Sequence, residues 1–136
     1  MAQKPEWVVT PVTGVGSVSA ANNVFDGSGT IGTSSYATVI PAVSAQTLIY
    51  FLEAIATGAT SASGGLIYWV RVSGANRWLV AVSVVAASVT PSATNPPFRD
   101  SITRRNNPVV LESGESLAAY CTVANPLQFR ALGGRP

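Results

Sequence analysis

Apolar and polar positions alternate with a period of two through much of the chain, the signature of β-strands with two distinct faces. The clearest case is "GGLIYWVRVSG", where Leu66, Tyr68, Val70 and Val72 stand opposite Ile67, Trp69 and Arg71. The following "SGAN" is a turn signal, and "RWLVAVSVVAAS" returns with Trp78, Val80, Val82 and Val84 on one face and Leu79, Ala81 and Ser83 on the other. The pair predicts a β-hairpin. In "TLIYFLEAIATG" both alternating sets are largely apolar: Leu48, Tyr50, Leu52 and Ala54 against Ile49, Phe51, Glu53 and Ile55. That pattern predicts a strand buried on both faces, or nearly so.

Further strands are expected in "GVGSVSA", in "YATVI" up to Pro41, in "VVLE", in "SLAAYCTV", and in "PLQFRALGG", where Leu127, Phe129 and Ala131 alternate with Gln128 and Arg130. "NNVFDGSGTIGTSS" has the turn residues of a loop or hairpin. The proline-rich segment from Thr90 to Pro108 predicts a long surface excursion with a short strand near Ile102. "WVVT" lies between Pro5 and Pro11, which confines it to an edge strand or an extended arm; an arm is the favoured reading. Roughly eight short strands with turn signals between them and no internal repeat define the expected fold. It is all-β: an antiparallel β-sandwich, jelly-roll or immunoglobulin-like, with an extended N-terminal arm. The arm is placed at residues 1–13 and a single sandwich domain at residues 14–136.

Composition sharpens this picture. Hydrophobic residues make up 47% of the 136 residues and charged residues 10%, where ordinary soluble domains carry roughly 25% charged residues. Much of the surface must therefore be covered by Ser, Thr, Asn or a neighbouring subunit. A net charge of +2 argues against nucleic acid as a partner. The longest apolar run, Leu79 to Val89, is too short to span a bilayer as a helix and is broken by Ser83 and Ser88; no membrane role and no secretory signal are expected. Cys121 is the sole cysteine, expected as a buried thiol in a protein made in a reducing cytoplasm.

Candidate chemistry is sparse. "LESGES" places Glu112 and Glu115 around Ser113-Gly114, an arrangement that a reactive site or a tight turn would explain. The chain has no histidine, which removes Ser-His-Asp and Cys-His sets and most zinc and iron sites. The turn reading is preferred, and no catalytic residue, metal or cofactor is expected. Asp26 reads as a turn residue, and Glu53 is the one acid placed mid-strand. Trp7, Trp69 and Trp78 raise a carbohydrate-binding module as an alternative, although a hairpin pair such as Trp69 and Trp78 packs by default within its own domain.

The segments "MAQKPEW", "SVSAANNVFDGSGTI" and "VVLESGESLAAYCTVANPLQFRALGG" resemble small all-β virion proteins of tailed bacteriophages, the capsid decoration or cement proteins. The resemblance implies a structural protein on the outside of the phage head, with the major capsid protein as partner and a homotrimer as the favoured state. It implies no active site. Partner contacts are expected from the arm, at Trp7, Val8 and Val9, and from the loop 95–107, at Arg99, Arg104 and Arg105. A head–tail, tail or fibre-base component is the alternative within the virion.

Overall fold

The structure, a computed structural model, describes residues 10–22, 36–74 and 76–136. These residues form nine strands and no helix: β1 (Thr10–Val18), β2 (Ala37–Ile40), β3 (Thr47–Ala56), β4 (Gly65–Ser73), β5 (Asn76–Val85), β6 (Arg99–Thr103), β7 (Val109–Leu111), β8 (Ser116–Cys121) and β9 (Leu127–Arg135). One sheet has the order β1-β9-β3-β6, with β7 also paired to β3; the other has the order β2-β8-β4-β5. Every pairing is antiparallel. The two-sheet sandwich, the β4–β5 hairpin, the end of β2 before Pro41 and the short strand at Ile102 all match the expectations from the sequence.

The core lies between the sheets. Ile49, Leu52 and Ala54 from β3 and Leu127, Phe129 and Ala131 from β9 face Ile67 and Trp69 from β4 and Leu117, Ala119 and Cys121 from β8. Burying a leucine or isoleucine fully is worth about 1.5–3 kcal/mol, so these inward positions hold the layers together. The alternation in β9 is as expected: Gln128 and Arg130, between the inward residues, are exposed. Cys121 is a buried thiol among them. The second sheet is also apolar on its outer side, where Val70, Ala118 and Tyr120 are buried and Tyr68 packs on Tyr120 with ring centroids 5.4 Å apart.

Besides a register shift in β2 between Thr38 and Ile40, two β-bulges alter the faces expected from strict alternation. In β3 the register shifts between Ile49 and Phe51, so Ile49 joins Leu52 and Ala54 in the core rather than Phe51 and Glu53 outside. In the β4–β5 hairpin Trp69 pairs with Ala81 and Val70 with Leu79, leaving Val80 as the extra residue. Trp78 therefore shares a face with Ala81, and Val82 and Val84 turn to the other. An extra residue breaks the period of two, and composition does not betray where it falls.

Arg104 ties both bulges together. Its backbone N–H donates to the Tyr50 carbonyl at 2.6 Å, and its Nη1 donates to the Val80 carbonyl at 2.9 Å. Bulges free carbonyls from the ladder, and one residue here satisfies a carbonyl in each sheet. Buried Asn125 does similar work between loops, accepting from the Ser61 N–H at 2.7 Å and donating to the Gly64 carbonyl at 2.8 Å.

The arm expected over residues 1–13 lies outside the described residues as far as residue 9, together with Trp7, Val8 and Val9. The loop or hairpin expected around Asp26 falls outside them too. Thr10, Pro11, Val12 and Thr13 are the first residues of β1 and pair with Arg135, Gly134, Gly133 and Leu132 of β9. Among the described strands β1 lies at the edge of its sheet, which is where a sheet tolerates Pro11.

Candidate functional site

The "LESGES" stretch forms the β7–β8 connection. Gly114 has φ +84°, a conformation that glycine reaches without a steric penalty. The Glu115 N–H donates to the Glu112 carbonyl at 3.0 Å, and the Glu112 N–H donates back to the Glu115 carboxylate at 2.8 Å. Gln46 Nε2 donates to Glu112 at 3.1 Å, and Arg71 Nε lies 3.4 Å from the Glu115 carboxylate. Both glutamates are thus engaged within the chain, as supports of a turn. Among the described residues no group of three or more His, Cys, Asp or Glu could hold a metal ion.

Two surfaces stand out once the turn is set aside. The first is the outer face of β5, an edge strand of the four-stranded sheet. Leu79, Val82 and Val84 are exposed there, Val84 at 69%. β5 contains neither lysine nor proline, the residues that commonly blunt an exposed edge. Trp78 lies on the opposite side, beneath the Arg71 guanidinium at 4.6 Å.

The second surface is the outer face of the five-stranded sheet. Register places Glu53 beside Arg130 of β9 and Ser101 of β6, with Phe51 beside Leu132 and Thr103. Glu53 is 7% exposed, yet both of its carboxylate oxygens are paired. Oε2 accepts from Arg99 Nε at 2.6 Å and meets Arg99 Nη2 at 2.5 Å; Oε1 meets Arg130 Nη2 at 3.1 Å. Arg130 also lies over the Phe51 ring, 5.7 Å from its centroid. A mid-strand glutamate among apolar neighbours is thereby explained: it fixes two guanidiniums that are themselves about half exposed.

The expected contact residues separate on this framework. Arg99 belongs to the Glu53 cluster and Arg104 is occupied between the sheets. Arg105 is exposed and lines a hollow with Tyr50, Phe51, Thr103, Arg130 and Leu132. Arg130 is not among the contact residues expected from the sequence, because an outward arginine in a strand carries no signal of its own. The register that brings it to Glu53 is long-range.

Replacing Glu53 by glutamine is expected to lower stability by about 1–2 kcal/mol, the range for a charge-assisted hydrogen bond discounted for solvent around the two arginines. Urea denaturation checks this: the midpoint falls while the slope with denaturant stays constant, because the buried surface is unchanged.

As to carbohydrate, Trp69 is buried edge-to-face against Phe129, with centroids 5.3 Å apart, so the hairpin tryptophans offer no shared stacking platform.

The architecture is that of an antiparallel β-sandwich. No family model matches the chain, and no curated protein matches it at a significant level. Among solved structures it is similar to "Structure of Eiger TNF from S. frugiperda", with 14% identity over 93% of this chain and 92% of that one and a TM-score of 0.50. That likeness concerns the fold alone. It is also similar to a chain of "Cyanophage Pam1 capsid asymmetric unit", with 14% identity over 100% of this chain and 92% of that one and a TM-score of 0.48.

Proposed function

We propose that this chain is a structural protein of a bacteriophage virion that binds the outer surface of the head and stabilises contacts between major capsid subunits. The observation that carries the reading is the exposed apolar strip Leu79, Val82 and Val84 on the edge strand β5. Contiguous exposed apolar surface rimmed by polar residues marks protein–protein contact, and the low charge of the chain suits subunit interfaces, whose cores are depleted of charge. The resemblance of the terminal segments to decoration proteins supplies the kind of partner, and the homotrimer is part of the same proposal.

Purified undecorated heads provide the test. The protein is expected to co-sediment with them and to raise the temperature at which they rupture, and Val84→Glu is expected to weaken binding by about tenfold or more, as a charge placed in an apolar contact does. Failure of the unaltered protein to bind heads would sink the reading. Labelled protein distributed over the whole shell supports decoration, whereas label at a single vertex assigns the chain to the tail junction.

A further inference from the structure

The outer face of the five-stranded sheet holds an arrangement that the apolar strip on β5 leaves unused. Two adjoining hollows, of 590 and 650 Å³, lie on it, and Arg130 lines both. Their apolar lining includes Val15 and Ile55 in one and Phe51 and Leu132 in the other. Three arginines, Arg99, Arg105 and Arg130, stand around them against one carboxylate, Glu53. Arg105 has no ion-pair partner among the described residues.

We propose that this face is a docking surface for an extended, acid-bearing segment of the partner protein, with apolar side chains in the two hollows and carboxylates on Arg105 and Arg130. The inference rests on the head-binding reading, in which that partner is the shell protein. Arginine forks match carboxylates in two parallel hydrogen bonds and are enriched where proteins meet. Glu53 is a positioning residue: it anchors Arg99 and Arg130 before any partner arrives, which reduces the ordering cost of binding. The apolar lining and the central carboxylate disfavour a nucleic-acid backbone, which would meet only three cations and be repelled by Glu53.

Arg105 is the residue to change, because its substitution breaks no pairing among the described residues. Co-sedimentation with undecorated heads is expected to show Arg105→Glu binding about tenfold weaker or worse, Arg105→Lys close to the unaltered protein, and weakening of all three as salt rises. Thermal unfolding of the variants is expected to be unchanged. If Arg105→Glu binds heads as well as the unaltered protein, the proposal is overturned while the head-binding reading stands.

If the unaltered protein binds no heads, that reading falls and the face is judged by itself. An alternating Glu-Val decapeptide added to the isotope-labelled full chain is expected to shift amide resonances at residues 51–55, 99–105 and 128–132, and a Lys-Val decapeptide is expected not to. Absence of shifts overturns the proposal. So does the same response to citrate, which assigns a small-anion site, or to a short DNA duplex, which assigns nucleic acid. An oligomer that Arg105→Glu dissolves in sedimentation assigns the face to a second copy of this chain and likewise overturns it.

Discussion

Trp69→Ala is expected to destabilise the protein by about 4 kcal/mol, within the range for emptying a buried tryptophan site. The side chain is 1% exposed, stands on β4 and reaches across the sandwich to the edge of Phe129 on β9. It is the largest fully buried side chain among the described residues and bridges the two sheets. Thermal unfolding is expected to shift down by about 10–15 °C for a domain of this size. Trp69→Phe gives a sharper check. The indole N–H has no hydrogen-bond partner among the described residues, so phenylalanine forfeits packing volume but removes an unsatisfied donor. Its cost is expected at about half that of alanine or less. Equal losses for the two variants would show that ring packing contributes little.

Gly133→Ala is the second large effect. A Cβ at this position of β9 would lie 1.9 Å from the Leu48 carbonyl oxygen and 2.9 Å from Ile49 Cα. Both obstacles are backbone atoms of β3, so no side-chain rotation relieves the clash, and a strand has to move. Gly133 pairs with Ile49 beside the β3 bulge and with Val12 on its other flank. Displacement therefore strains three strands, and a loss of about 3 kcal/mol is expected, the upper end of ordinary overpacking. Gly114→Ala serves as the comparison. It has open space around it, and only its positive φ opposes a side chain, at about 1–2 kcal/mol. Hydrogen exchange is the discriminating measurement: Gly133→Ala is expected to speed exchange along β1, β9 and β3, while Gly114→Ala leaves those amides protected.

The period-two pattern was enough to read strands such as β9, whose faces differ, while β3 and β8, buried on both faces, were legible as short apolar runs between turn signals. It failed at Tyr50 and Val80, where an inserted residue re-aims everything beyond it. Bulge positions depend on partners such as Gly133 and Arg104 that are far away in sequence. The same limit applies to function. Glu53 was conspicuous as a buried-looking acid, but its partners Arg99 and Arg130 are 46 and 77 positions further along. Only the register of β3 with β6 and β9 brings them together. The glutamates of "LESGES" went the other way, since their turn is local and local chemistry predicts it.

The pairing of the first described strand with the last has a kinetic meaning. Among the described residues β1 finds its only ladder on β9, through contacts from Val18 with Leu127 to Thr10 with Arg135. During synthesis β1 emerges first of the described strands, and its ladder partner among them is complete only once residues 127–135 have left the ribosome. The five-stranded sheet cannot close before then, and closing so long a loop is entropically slow. The exposed backbone of the waiting strand is held in check by its own sequence, "TPVTGVGSV", whose proline and glycines make it a poor template for pairing with another chain.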